Sequence, residues 1–266
     1  MIKVENVSFR YKNSDNYILN NISFKIKEGE IVAIIGKNGS GKSTFGKLIS
    51  GIIKTKEGKI KIDDIDIKNK DISKKIGIIF QNPENQIIFN NIYDELSFSL
   101  KELNKNEIEE RINNSLEQVG MLEYKNKELY TLSLGQKQRI VIAEILARKT
   151  KYIIFDEPTS MIDSNVKEAI YEMIFKLKNL GYTIIYITNF ADEILIADRT
   201  IILDNGKIIE EILKEELVNK SHIFEKYNLK KPLLIEIISK LKKNGIILDI
   251  KNFTIDELIT QLKEKM

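Results

Sequence analysis

Apolar and polar residues alternate over residues 1–9, through Ile2, Val4, Val7 and Phe9. They alternate again over residues 18–26, through Ile18, Ile22, Phe24 and Ile26. A period of two marks a strand with one buried face. The polar residues 13–16 between the runs read as a turn, which predicts an antiparallel pair at a sheet edge. Other runs carry no polar position at all: Ile31-Val32-Ala33-Ile34-Ile35, Tyr152-Ile153-Ile154-Phe155 and most of 183–187. Such runs suit strands covered on both faces, and residues 76–80 form another compact apolar strand. Short hairpins are expected around Asp63-Asp64 and around Asp204-Asn205-Gly206.

Helical periodicity fills the intervals. It runs over residues 43–53, 140–147 and 163–180, the last stopped by Gly181. It also runs from Tyr93 to Tyr124 through Leu96, Leu100, Leu103, Ile108, Ile112, Leu116 and Val119, after Pro83 has interrupted any continuation from the preceding strand. This stretch reads as an inserted helical subdomain over about 82–148 of a domain spanning 1–211. Residues 212–266 are Lys-rich and helical. There Pro232 opens a helix carrying Leu233, Leu234, Ile237, Ile238 and Leu241, and Thr254 with Glu257 starts a last helix in capping-box fashion. Two amphipathic helices need a surface to cover their apolar faces, and the sequence leaves open whether it is the parent domain or a partner chain.

The strand at 31–35 feeds Gly36-Lys37-Asn38-Gly39-Ser40-Gly41-Lys42-Ser43-Thr44, which fits the phosphate-binding pattern G-x-x-x-x-G-K-[ST]. Glycines let the backbone N–H groups close around phosphate oxygens, and the following helix presents its positive end to the same anion. Lys42 is placed to reach the β- and γ-phosphates, and Ser43 to hold Mg²⁺. The strand at 152–155 delivers Asp156 and Glu157 to its C-terminal end, where open α/β sheets place their ligands. Asp156 suits the Mg²⁺ shell, and Glu157, pointing differently, suits orienting and deprotonating a water in line with the γ-phosphate. Ser133 is an N-cap in front of an apolar helix, so Ser133 and Gly135 form a second anion-binding helix terminus. Tyr11 ends the first strand, either as a base-stacking ring or as an ordinary surface tyrosine.

Composition narrows these readings only slightly. With 42% hydrophobic residues among 266, the chain can bury a large core. Its net charge of +3 supplies no whole-chain basic field, so a nucleic-acid partner is not expected. The absence of cysteine rules out disulfides and thiolate metal sites. No apolar run approaches the ~20 residues of a membrane-spanning helix, and the N-terminus lacks a secretory pattern, which predicts a soluble chain able to dock on a membrane protein.

The chain resembles the ATP-binding subunits of ABC transporters from Met1 to about Glu211, motif by motif and in the family's order. Tyr11 matches the adenine-stacking aromatic, residues 36–44 the Walker A loop, and Gln81 the Q-loop that touches Mg²⁺. Residues 133–136 match the signature motif through Ser133, Gly135 and Gln136, Asp156 and Glu157 the Walker B acid and catalytic base, and residues 160–163 the D-loop. The resemblance implies an α/β P-loop ABC ATPase fold. Such a fold has a mostly parallel, RecA-like core sheet, an antiparallel β edge, an inserted helical subdomain and here a small helical C-terminal extension. It also implies that ATP and Mg²⁺ are bound, and that the signature motif faces the γ-phosphate held by another protomer, hence a dimer.

Within that group, Phe80-Gln81-Asn82-Pro83-Glu84-Asn85-Gln86 and Ser160-Met161-Ile162-Asp163 are most similar to the energy-coupling factor (ECF) transporter ATPases. This implies a second, related ATPase chain, a transmembrane coupling protein and a membrane subunit that captures a vitamin or metal ion. The chain would then be peripheral on the cytoplasmic face of the cell membrane. A hydrolysis-poor ATP-dependent clamp and a non-transport ABC ATPase are the competing functions. Two departures from the family pattern stand out. Leu134 replaces a glycine of the signature motif, and Asn189 occupies the position of the switch histidine. The only histidine, His222, falls in the C-terminal region, where a surface position is expected. Asparagine can donate to a phosphate oxygen or a water but cannot carry the proton of an imidazole, so Asn189 is expected to slow the site formed by this chain's own Walker motifs.

Overall fold

The computed structural model describes the chain apart from residues 13, 69–71, 73, 163 and 266 and the side chains of 164–166. Asn13 of the expected turn and Asp163 of the expected D-loop therefore lie outside the described residues. Two sheets share the strands. Strands β1 (Ile2–Phe9), β2 (Leu19–Ile26), β4 (Glu57–Ile62) and β5 (Ile65–Asp66) form an antiparallel sheet in the order β2-β1-β4-β5. The second sheet has six strands. In it β3 (Ile31–Ile35), β6 (Ile76–Ile79), β7 (Tyr152–Asp156), β8 (Thr183–Thr188), β9 (Arg199–Asp204) and β10 (Lys207–Leu213) lie in the order β10-β9-β3-β8-β7-β6. The five from β9 to β6 are parallel and β10 closes the edge antiparallel to β9.

The unbroken apolar runs occupy the middle of this parallel sheet because helices or the second sheet cover both of its faces. Along β3, Ile31, Ala33 and Ile35 enter one hydrophobic cluster while Val32 and Ile34 enter the other. β7 divides in the same way, Ile153 and Phe155 facing one side and Tyr152 and Ile154 the other. The second cluster is sealed by the antiparallel sheet and by α1 (Lys42–Ile49), through residues such as Val4, Phe24, Phe45 and Leu48. Both expected hairpin turns form with their two central residues at positive φ, Asp63 and Asp64 at 50° and 62°, and Asn205 and Gly206 at 46° and 72°. Paired positive φ values match the right-handed strand twist.

Between β6 and β7 lie α2 (Ile92–Phe98), α3 (Lys105–Gln118) and α4 (Leu134–Ala147). The periodicity from Tyr93 to Tyr124 predicted continuous helix, but the chain breaks over residues 99–104. Asn104 there caps α3, accepting from the Glu107 N–H at 3.0 Å, and Glu107 returns the bond to the Asn104 N–H. That reciprocal capping box starts a new helix in mid-pattern. Helix α5 (Ser164–Asn179) connects β7 to β8.

Past β10 come α6 (His222–Lys226), α7 (Leu233–Lys243) and α8 (Ile255–Lys265). Phe224, Ile235, Ile238, Phe253 and Leu258 join the same hydrophobic cluster as Ile212 and Leu217, so these helices bury their inner faces on this chain's own domain. The buried side of α7 is Leu234, Ile235 and Ile238, rotated from the expected stripe, with Leu233 at 61% exposure. Glu257 accepts from the N–H groups of Lys251, Asn252 and Phe253, tying the turn before α8 to its first residues. His222 is exposed, as its sequence position suggested.

Candidate functional site

Because β3, β8, β7 and β6 are parallel neighbours, the segments that follow them emerge along one edge of the sheet. Ile35 pairs with Thr188, Asp156 with Ile187 and Ile79 with Phe155, so the strand ends are level. Gly39, Lys42, Ser43, Gln81, Glu157 and Asn189 consequently line one open cleft of about 500 Å³. A larger cavity of about 690 Å³ lies near Lys214, Ile238 and Phe253, away from these chemistry-bearing groups.

The loop over residues 36–44 needs its glycines for two different reasons. A Cβ on Gly36 would sit 2.1 Å from the Leu203 carbonyl oxygen, so the loop lies directly on β9. Gly41 caps α1 at a φ of 105°, a conformation closed to other residues, and a Cβ there would also meet Leu19 and the Ile18 carbonyl within 3 Å. Ser40 is buried, while Lys37, Asn38 and Gly39 are exposed at the loop's outer rim. The Lys42 ammonium donates to the carbonyls of Gly36 at 2.9 Å and Lys37 at 3.1 Å. Burial pushes its pKa down, opposed by the carboxylates of Glu157 and Asp156.

The Ser43 hydroxyl donates to Asp156 Oδ1 at 2.9 Å. Burial raises the Asp156 pKa, as does the neighbouring Glu157, while the bond from Ser43 and the charges of Lys47 and Lys42 lower it. A hydroxyl beside a carboxylate on an anion-binding loop fits Mg²⁺, a hard cation held by one or two protein oxygens and completed by phosphate and water. The Ser43 and Asp156 oxygens would take such an ion. Among the described residues no cluster of three or more acidic or histidine side chains offers a separate metal cage.

Glu157 stands in the left-handed region at φ 53°, and its N–H donates to the Ile187 carbonyl at 2.9 Å. The sharp turn separates its side chain from that of Asp156 and brings it to Asn189, whose Nδ2 donates to Glu157 Oε1. Asn189 Oδ1 is buried and has no hydrogen-bond partner among the described residues. Tyr11 packs edge-on against Phe9 and shares a 3.3 Å hydrogen bond with the Thr44 hydroxyl, beside the phosphate loop. Ile18, which alternation marked only as a strand residue, lines the same cleft.

Ser133, Gly135 and Gln136 are not part of this cleft. Ser133 caps α4, accepting from the Gln136 N–H at 3.3 Å while Gln136 Oε1 accepts from the Ser133 N–H at 2.9 Å. This terminus belongs to a second surface of the chain, joined to the first internally. Gln138, 1% exposed, donates from Nε2 to the Pro158 carbonyl at 2.6 Å, connecting α4 to the segment that carries Glu157.

A family model described as ABC transporter matches residues 19–160, more than half of the chain. The chain belongs to the ABC transporter family. It is 44% identical to the energy-coupling factor transporter ATP-binding protein EcfA1 of Fusobacterium nucleatum, over all of both chains. It is 38% identical to EcfA1 of Ligilactobacillus salivarius, over all of this chain and 97% of that one. Among solved structures, cbiO1 from Clostridium perfringens, part of the ABC transporter complex cbiONQ, superposes with a TM-score of 0.76 at 32% identity, covering 89% of this chain and 97% of that one. A dimeric ATP-binding cassette in a post-hydrolysis state with ADP and Pi gives 0.72 at 30% identity, covering 80% and 99%. The expected ABC ATPase fold and its ECF-type relationship are thereby borne out. The protein is an ATP-binding subunit of the ECF type of ABC transporter and an ATP hydrolase.

Proposed function

We propose that this chain is one half of an ATP sandwich in an importer of a vitamin or metal ion, with residues 1–211 as the nucleotide-binding domain and 212–266 as a helical extension. Its partners in this reading are a related ATPase subunit, a transmembrane coupling protein and a membrane subunit that captures the substrate. It sits peripherally on the cytoplasmic face of the membrane. Among the described residues no helix is long and apolar enough to cross a membrane, which supports recruitment through partners.

In this assignment the backbone of residues 36–44 and the Lys42 ammonium bind the ATP phosphates, and Tyr11 stacks on the adenine. Ser43, Asp156 and Gln81 hold Mg²⁺, which offsets phosphate charge when bound. Glu157 orients a water in line with the γ-phosphorus and takes its proton as the new P–O bond forms and the bond to ADP breaks. Ser133, Gly135 and Gln136 complete the partner's ATP site. The observation that carries the finer reading is the hydrogen bond from Asn189 Nδ2 to Glu157 Oε1. It occupies one oxygen of the base, and the neutral amide cannot pass a proton onward. The base is held in place, but its site turns over slowly, and the partner's Walker site carries more of the flux.

Replacement of Asn189 by His tests this. Steady-state ATPase of the assembled complex should rise several-fold, and Glu157→Gln should lower it much less than the equivalent change in the partner. An unchanged rate with Asn189→His, or an equal loss from the two glutamate changes, would overturn the slow-site reading. Tight ATP binding with no turnover from either site would favour the clamp.

A further inference from the structure

Among the described residues, two buried carboxylates lie outside the catalytic assignment, Glu95 and Glu193, and the second contacts the loops of the site. Glu193 is 4% exposed, on the short helical turn Ala191–Ile196 that follows β8. Four hydroxyls converge on it. Oε1 accepts from Thr159 and, at 2.9 Å, from Tyr171. Oε2 accepts from Thr188 and, at 3.1 Å, from Tyr186. Two carboxylate oxygens offer about four acceptor positions, so these bonds use its capacity fully. Thr188 and Thr159 are buried as well.

The four donors come from different parts of the site. Thr159 lies two residues beyond Glu157, and Thr188 immediately precedes Asn189. Thr188 Oγ1 also accepts from the Phe190 N–H at 2.9 Å, fixing both sides of Asn189. Tyr186 belongs to β8 and Tyr171 to α5, the helix reached through the loop after Glu157. Burial, reinforced by the Glu193 charge, raises the pKa of both tyrosines, which keeps them as donors.

We infer that Glu193 is a positioning residue for ATP hydrolysis: by binding Thr159 and Thr188 with one carboxylate, it holds the Glu157 loop and the Asn189 loop in mutual register. This rests on the assignment of Glu157 as the base. An anchor to only one loop would leave the Glu157–Asn189 contact to two half-buried residues on separate loops. With both loops on a single rigid group, a displacement of one must move the other.

The test uses the assembled complex with the partner's own Walker B glutamate changed to Gln, and follows a single turnover of radiolabelled ATP with protein in excess. Glu193→Gln keeps the side chain's size but exchanges two acceptor positions for donors. It should lower the cleavage rate at least tenfold and leave ATP affinity within twofold. Thr159→Val and Thr188→Val each remove one hydroxyl and should lower the rate in the same direction, so the proposal stays falsifiable if Glu193→Gln does not fold. The rate losses should vanish in a Glu157→Gln background, because a residue acting through Glu157 has nothing left to position. A folded Glu193→Gln complex at the wild-type rate, an equal loss of affinity, or an undiminished loss in the Glu157→Gln background would overturn the inference. Where Glu157→Gln alone keeps the wild-type rate, the assignment of Glu157 fails and the inference falls with it.

Discussion

Glu157 and Asn189 meet because backbone geometry differs sharply between consecutive residues. Asp156 ends β7 in extended conformation, and Glu157 turns into positive φ, a state that costs of order 1 kcal/mol or more for a non-glycine residue. The bond from its N–H to Ile187 holds that turn. Adjacent acids at a strand end were legible in the sequence, and so was the missing histidine. The contact between Glu157 and Asn189 was not, since it depends on strand order. Glu193 was equally hidden, because an Asp192-Glu193 pair just past a strand end looks like solvated surface. Elsewhere a single carboxylate carries a pH signature. Burial, together with Glu95, pushes Glu144 up to about 7 against the pull of Arg148. Its folded pKa exceeds the ordinary value, so the folded state binds the proton more tightly. The associated stability is complete below about pH 4.5 and is lost as the pH rises through about 7, by up to about 3 kcal/mol. Glu144→Gln should therefore raise the denaturation midpoint at pH 8 and change it little at pH 4.5. An equal shift at both would mean that packing, not ionisation, sets the effect.

At the level of elements, strand and helix types followed from period, while breaks and packing distances did not. The pattern through 93–124 ran across the gap between α2 and α3 because both helices bury apolar faces in the same cluster, so the periodicity hardly changes phase there. The start of α3 was readable only from Asn104 and Glu107. Close approach between α4 and β6 left a different trace, a glycine inside an otherwise apolar strand. A Cβ on Gly77 would lie 2.6 Å from Ile145 Cγ2 and 3.0 Å from both Cδ1 and Cγ1 of the same side chain. Its backbone is not in the positive-φ region, so substitution there is a question of space alone. Gly77→Ala should destabilise the protein by about 1–3 kcal/mol through overpacking. Adding Ile145→Val, which removes a methyl group, should recover part of the loss in a denaturant titration. Simple additivity of the two changes would place the glycine's role elsewhere.

Across the whole molecule, the amphipathic helices past β10 posed the question that sequence left open, since an apolar stripe is the same whether it packs on its own domain or on another chain. The structure separates two sets of residues. Ile235 is fully buried in the cluster that also contains Ile212, Leu217 and Phe224, continuous with the core beneath the parallel sheet. Ile255 and Leu233, by contrast, are 65% and 61% exposed. Burial on the parent domain makes α7 part of its folding unit, and a fully buried aliphatic side chain contributes roughly 1.5–3 kcal/mol by transfer alone. Ile235→Ala should cost about 2–5 kcal/mol, a sizeable fraction of an ordinary domain's stability. Ile255→Ser should stay within about 0.5 kcal/mol for the isolated chain. Chemical denaturation of the two variants measures both numbers. If Ile235→Ala left stability intact while weakening association with the second ATPase subunit, the inner face of α7 would belong to an interface; a loss confined to the isolated chain's stability assigns it to the core.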